Sequence, residues 1–335
     1  MRPRLAILAL LSALLVGAVA APPAAALERG IVYSKILQEE PVLEGGLYVL
    51  REKRPQRLTY DPRDVEPSVA RDGAIAFVRD GDLHLIRPDG TGLRQLTAGP
   101  EIDERPLFSP DGRSLAFTRR AAPGAPRDLF LLRLDSALPL ALTATPEDEA
   151  DAAFSPDGDR IAFARRLLLT GDAGGGDLYS VRSDGGGLRQ LTRTPQQEFG
   201  PRYFVGGIVF NRRGDGPPRI FTMRRNGSGV KAAVSPKRGA TIAGLTPNGR
   251  RLAFRSRGSF WSKRLDRRGA PTKWLSETFG GDELAISPDG RRGAFLLYFD
   301  EQQAITTLDL RRGGFVDTTE HYNLGEGSID PRLAW

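Results

Sequence analysis

Residues 108–117 read FSPDGRSLAF. A near copy, FSPDGDRIAF, stands at 154–163, and a weaker one, ISPDGRRGAF, at 286–295. In each, apolar residues run up to Ser-Pro-Asp-Gly and resume just beyond it. Pro110 pre-sets φ at the first central position of a turn, and Asp111 hydrogen-bonds nearby backbone. Gly112 supplies the positive φ of a short hairpin. Because Asp111, Asp157 and Asp289 recur, a cation site is the alternative. Such a site needs about six or more converging oxygens, and these aspartates lie in separate repeats. The phrase is expected to be a turn joining two strands.

The strand after the turn recurs even where the turn has drifted. It reads Ile31-Val32-Tyr33, Ile75-Ala76-Phe77, Leu115-Ala116-Phe117, Ile161-Ala162-Phe163, Ile208-Val209-Phe210, Leu252-Ala253-Phe254 and Gly293-Ala294-Phe295. The aromatic positions are 40 to 47 residues apart, the period of a four-stranded propeller blade. A third strand alternates, as in Asp82-Leu83-His84-Leu85-Ile86, and a short fourth reads GLRQLT at 92–97 and again at 187–192. Period-two alternation punctuated by Asp-Gly turns is the signature of hairpins. The first repeat has no strand before Ile31. IDPRLAW (329–335) resembles DERPLFS (103–109), so the C-terminal strand is expected to pair with Ile31-Val32-Tyr33. Closure would remove the exposed edges of an open array. The expected fold is an all-β, seven-bladed β-propeller of four-stranded antiparallel blades, closed by the C-terminal strand. Six blades with one irregular repeat is the alternative.

The composite motif FSPDGxxIAF…DLYxxRxDGxxLRQLT resembles the WD40-like repeat of TolB-type β-propellers, over essentially all of residues 30–335. YFVGG and LTPNGRRLAF mark the more diverged copies. TolB itself carries an additional N-terminal α/β domain. The stretch before Ile31 is too short for one, so the propeller alone is expected to carry over.

The 335 residues are 40% hydrophobic, enough for a sizeable core. Arg2 and Arg4 precede an apolar run from Leu5 to Ala20, and Ala24-Ala25-Ala26 offers a small-residue cleavage site. That pattern predicts a signal peptide over 1–26 and a single propeller domain over 27–335. The run is shorter than the ~20 residues of a spanning helix, so no transmembrane anchor is expected after cleavage. The chain has no Cys, which excludes disulfides and a lipoprotein anchor and is compatible with export. The expected location is periplasmic or extracellular. The formal charge of +7 is spread along the chain. A nucleic-acid protein gathers such charge on one face with aromatic platforms, so nucleic acid is not an expected partner.

Acids precede each first strand: Glu66, Asp103, Glu104, Glu149, Asp151, Glu198, Asp282, Glu283 and Asp330. Bases end the second strands, among them Arg79, Arg119, Arg120, Arg165, Arg166, Arg212 and Arg255. In an up-and-down blade these ends share one face, around the mouth of the central channel. Counting outward from the turn pairs Phe108 with Leu115 and Glu104 with Arg119. One reading is a ring of cross-strand ion pairs. The other is a charged mouth that binds a peptide, a glycan or a metal ion. The candidate binding residues are therefore Glu66, Asp103, Glu104, Arg119, Arg120, Glu149, Asp151, Arg165, Arg166, Glu198, Asp282, Glu283 and Asp330. The long connections at 119–127 and 165–176 would rise on the same face.

Catalytic signals are weak. His84 and His321 are the only histidines and match no metal-ligand spacing. Pectin-fragment lyases of a similar repeat group use several histidines around a metal. There is no G-x-S-x-G elbow, and Gly174-Gly175-Gly176 and Gly185-Gly186-Gly187 lack the Gly-Lys-Ser/Thr of a phosphate loop. Phe260, Trp261 and Trp274 read either as packing between blades or as a glycan platform. No cofactor and no metal are expected. The expected function is a monomeric, non-catalytic scaffold that binds an envelope or extracellular protein, with a glycan as the other candidate ligand. The alternative is a carbohydrate-binding protein or carbohydrate-active enzyme using the same mouth.

Overall fold

Period-two segments flanked by turn residues become strands throughout this computed structural model. It describes residues 30–39, 42–51, 54–136, 138–166, 176–234, 239–275, 284–299, 302–310, 321–323, 328–329 and 333–334. The expected signal segment, 1–26, lies outside these residues. Every regular element among them is a β-strand.

One sheet joins β1 (Ile31–Glu39), β2 (Val42–Arg51) and β3 (Arg54–Arg57) to β28 (Ser328–Ile329). The next holds β4 (Val65–Val69), β5 (Ile75–Arg79), β6 (Asp82–Ile86) and β7 (Arg94–Gln95). A third holds β8 (Ile102–Phe108), β9 (Ser114–Arg120), β10 (Asp128–Arg133) and β11 (Leu140–Ala141). Two further sets share an eight-stranded sheet. The first is β12 (Asp148–Phe154), β13 (Arg160–Arg166), β14 (Gly176–Arg182) and β15 (Arg189–Gln190). The second is β16 (Gln197–Phe204), β17 (Gly207–Arg213), β18 (Arg219–Met223) and β19 (Lys231–Ala232). Only the parallel bridge Gly176↔Gln197 links them. The last two sheets are β20 (Thr241–Leu245), β21 (Arg251–Ser256), β22 (Ser259–Arg264) and β23 (Thr272–Leu275), then β24 (Ala285–Ile286), β25 (Arg292–Phe299), β26 (Gln302–Asp309) and β27 (His321–Asn323). Apart from that bridge, all strand pairing among the described residues is antiparallel.

The expected contact between the chain ends is present as local pairing. β28 pairs with β1 through Lys35↔Ile329 and Ile36↔Ser328. Val32 and Ala334 exchange backbone hydrogen bonds of 2.8 and 2.9 Å.

The recurring small-aromatic pair explains how the sheets stack. Phe77 is buried with Val32 of the preceding sheet, while Ala76 is buried with Phe108 and Leu115 of the next. Phe163 packs with Leu129 behind it, and Ala162 with Ile208 and Phe210 ahead of it. The same order holds for Phe254 and Ala253. It also holds for Phe295 and Ala294, the latter clustered with Ile31 and Tyr33. The aromatic side chain packs backward and the small one leaves room for the next sheet. Both faces are thus dry, and the strand reads as an apolar run rather than an alternation.

Ser-Pro-Asp-Gly is a turn wherever it is written. Ser109 N–H donates to Ser114 O at 2.8 Å and Gly112 N–H to Ser109 O at 2.9 Å. Asp111 accepts from Ser109 Oγ at 2.6 Å and from Arg113 N–H at 3.1 Å. Gly112, Gly158 and Gly290 have φ of 73, 77 and 67°. The hydroxyl of Ser109, the first residue of the motif, closes the loop by accepting from Ser114 N–H at 3.0 Å.

Candidate functional site

The acid-and-arginine end of the sheets is built on bulged inner strands. The register of β8 on β9 slips by one residue between Glu104 and Leu107. Equivalent slips occur in β4, β12, β16 and β20. Glu66, Arg105, Asp151 and Gly200 sit at these bulges with φ between 55 and 58°. Such φ is costly for a residue with a Cβ, and a bulge re-aims the side chains beyond it. The expected partner of Arg119 therefore changes. Asp103, not Glu104, lies opposite Arg119, because the extra residue at Arg105 shifts the count from the turn.

Four equivalent carboxylates lie beneath the surface, each gripped by an arginine. Asp64 binds Arg79 at 2.5 and 2.8 Å, and Asp103 binds Arg119 at 2.6 and 2.9 Å. Glu149 binds Arg165 at 2.8 Å and Glu198 binds Arg212 at 2.7 Å. All four acids are at most 1% exposed. Each arginine also stands over a ring of its own sheet: Arg119 over Phe130 at 5.0 Å, Arg165 over Tyr179 at 4.4 Å, Arg212 over Phe221 at 4.6 Å and Arg79 over Phe77 at 5.6 Å. Those rings stack in cross-strand pairs, such as Phe117–Phe130 and Phe163–Tyr179. The repeated unit is thus a carboxylate, a guanidinium and two rings, a cation–π stack capped by an ion pair.

Burial pushes the Glu149 carboxyl up to about 7, against the hydrogen bond from Thr145 and the charge of Arg165. Its Oε2 and Arg165 Nη2 are buried without a hydrogen-bond partner among the described residues. Burial also raises Glu198, despite donors on Thr194, Thr192 and Arg212. Asp148 is different. Burial opposes its charge, yet Arg127 at 2.6 Å and Arg166 at 3.3 Å hold it below the usual carboxylate range.

A second, shallower layer links neighbouring sheets. Glu66 accepts from Arg105 N–H, Arg105 approaches Asp151 at 3.7 Å, and Asp151 accepts from Gly200 N–H at 3.0 Å. Glu104 pairs with Arg120 and stands 4.0 Å from Arg127. The side chains of Glu104, Arg105, Arg120 and Asp151 are 18 to 38% exposed. Beside Arg212, a recess of about 520 Å³ is bordered by Gln196, Asp215, Pro217 and Arg219.

The expected residues thus divide by depth. Asp103, Arg119, Glu149, Arg165 and Glu198 lie in the buried pairs, while Glu66, Glu104, Arg120, Asp151 and Arg166 form the rim. Asp282, Glu283 and Asp330 lie outside the described residues. Sequence reasoning missed Asp64, Asp148 and Arg127. Asp64 was legible as the acid facing Arg79 once a bulge is allowed. Arg127 comes from the β9–β10 connection, which only the tertiary structure brings to Asp148. Among the described residues, no three His, Cys, Asp or Glu side chains converge as a metal-ligand group. No helix among them is long and apolar enough to cross a membrane. His84 is buried and stacks on Phe77 at 5.4 Å. Phe260 and Trp274 are core residues rather than an exposed platform.

A stretch of 57 residues is 42% identical to the protein TolB homolog of Chlorobium luteolum, covering 16% of this chain and 13% of that protein. Another of 59 residues is 48% identical to the Tol-Pal system protein TolB of Gluconobacter oxydans, with the same coverage. The chain therefore matches only 13% of the length of these curated relatives. TolB from Acinetobacter baumannii superposes with a TM-score of 0.58 at 15% identity, over 91% of this chain and 82% of that one. The fold is a TolB-like β-propeller. An oligogalacturonate lyase in complex with manganese gives a TM-score of 0.64 at 14% identity, over 89% of this chain and 86% of that one. Puromycin hydrolase gives 0.69 at 14% identity, over 90% and 54%. At these identities the likeness is one of fold. No protein-family profile matches the chain.

Proposed function

We propose that the chain is an exported, non-catalytic propeller that binds a protein at the cell envelope through the rim of its charged mouth. The carrying observation is the division by depth. Four carboxylates are consumed in buried pairs, whereas the side chains of Glu104, Arg105, Arg120 and Asp151 remain partly exposed on a rigid frame. Rigid strands that hold partly exposed charges suit recognition of a complementary surface. The matched TolB segments favour a protein partner over a glycan.

In this reading the seven four-stranded sets form a seven-bladed ring, with the first blade made from both chain ends. The β1–β28 pairing and the Tyr33, Ala294 and Leu296 cluster support closure. Residues 1–26 act as the export signal, and the mature propeller over 27–335 works as a monomer in the periplasm or outside the cell.

The test is co-purification from the native envelope after crosslinking. Neutralisation of both acids, E104Q with D151N, is expected to release the bound protein without setting like charges beside Arg105, Arg120 and Arg127. The melting temperature read alongside separates lost binding from lost fold. Turnover of a pectin- or glycan-type substrate, lost in the same variant, would sink this reading in favour of a carbohydrate-active enzyme.

A further inference from the structure

On the opposite face, where the Ser-Pro-Asp-Gly turns lie, a groove of about 820 Å³ opens between the β18–β19 and β22–β23 turns. Its walls carry Arg224, Lys231, Lys263, Arg264, Arg267 and Arg268 against a single acid, Asp266. That acid is already engaged by Arg264 at 2.9 and 2.6 Å. None of the other five cations has a carboxylate partner among the described residues.

The repeats provide an internal comparison. In the equivalent turns of two other sheets, the arginine ending the third strand is matched by an aspartate two residues on. Arg133 pairs with Asp135 at 2.9 Å, and Arg182 pairs with Asp184. Beside the groove that aspartate is replaced by Asn226, whose side chain turns back to Ser228 N–H at 3.0 Å. The facing turn keeps its aspartate but adds Arg267 and Arg268. Two copies of one turn have thus departed from neutrality in the two places that face each other across a recess. The surplus is felt locally: burial and then the like charges of Arg264 and Arg267 push the Arg251 guanidinium down from its ordinary value.

We propose that this groove binds a soluble ligand carrying two or more phosphate groups. Arginine presents a planar fork of donors that matches phosphate oxygens, and four of the six cations are arginine. The volume lies within the ~300–1,000 Å³ of small-molecule sites. Among the described residues, the walls offer no exposed aromatic ring on which a base could stack, Phe204 being buried, which disfavours single-stranded nucleic acid. The site is separate from the charged mouth and does not depend on its function.

The experiment is calorimetric titration of the full chain with inorganic tripolyphosphate. Saturable binding is expected. It should weaken by roughly tenfold or more in R267E with R268E, and by a smaller factor in N226D, which restores the acid found in the sister turns. R133E with R182E makes the same change in net charge elsewhere on this face and is expected to leave affinity unchanged. All these positions are exposed, so melting temperatures should stay close to the parent. Absence of binding, or equal loss in R133E with R182E, would overturn the proposal. So would binding to phosphatidylglycerol vesicles without binding to tripolyphosphate, which would make the patch a membrane contact.

Discussion

Asp103 accepts two hydrogen bonds from Arg119, at 2.6 and 2.9 Å, beneath a surface that leaves the acid 1% exposed. Arg119 in turn spans Phe117 and Phe130, 5.5 and 5.0 Å from its guanidinium carbon. The pair ties the inner strand to the second strand just past the bulge at Arg105, where the ladder itself is interrupted.

Removing one partner strands the other. Asp103→Ala is expected to cost roughly 3 kcal/mol, because Arg119 would keep its charge over a buried site. The double change Asp103→Leu with Arg119→Leu should recover much of that loss, since it removes both charges. Urea midpoints of the three proteins check this. A single variant as stable as the parent would refute it.

Glu149 makes stability depend on pH. Its folded value of about 7 exceeds the ordinary 4.5. Between those values the folded chain keeps a proton that the unfolded chain has lost, so stability falls as pH rises through that window. The slope there is about 1.4 kcal/mol for each tenfold drop in proton concentration. Above about pH 7 the loss is complete. Glu198 is raised in the same direction. Glu149→Gln is expected to flatten the decline between pH 5 and 8, read from urea midpoints measured across that range. An unchanged slope in this variant would remove Glu149 as the source.

Two turn glycines separate backbone strain from steric conflict. Gly112 has φ of 73° and an added Cβ would meet only Ala70 Cβ at 3.8 Å. Gly227 has φ of 86° but an added Cβ would lie 2.5 Å from Leu191 O. Gly112→Ala is expected to cost about 1 kcal/mol from conformation alone, and Gly227→Ala clearly more. Equal losses in thermal denaturation would contradict the distinction.

Deleting residues 326–335 removes β28 and the strand segment at Ala334. The sheet of β1 then has three strands and an open edge. The melting temperature is expected to fall by several degrees and association to increase, as an unpaired edge invites intermolecular pairing. An unchanged melting curve would argue against closure.

The sequence by itself determined the strands, the turns and the small-aromatic pattern that stacks the sheets. Those features rest on local rules: Gly112 must supply positive φ, and Ala116 must leave space for the next sheet. It also determined that acids and arginines gather at one end. The tertiary structure alone decided which of them meet. A bulge is one residue of backbone with no composition of its own, carried here by Glu66, Arg105, Asp151 and Gly200 alike. That residue moves Arg119 from Glu104 to Asp103. Depth was equally hidden: Asp103 and Glu104 are adjacent in the chain, but successive residues of a strand point to opposite sides, and one is buried while the other remains at the rim. The basic groove depended on proximity too, since Arg224 and Arg267 line one recess only because neighbouring sheets are packed side by side.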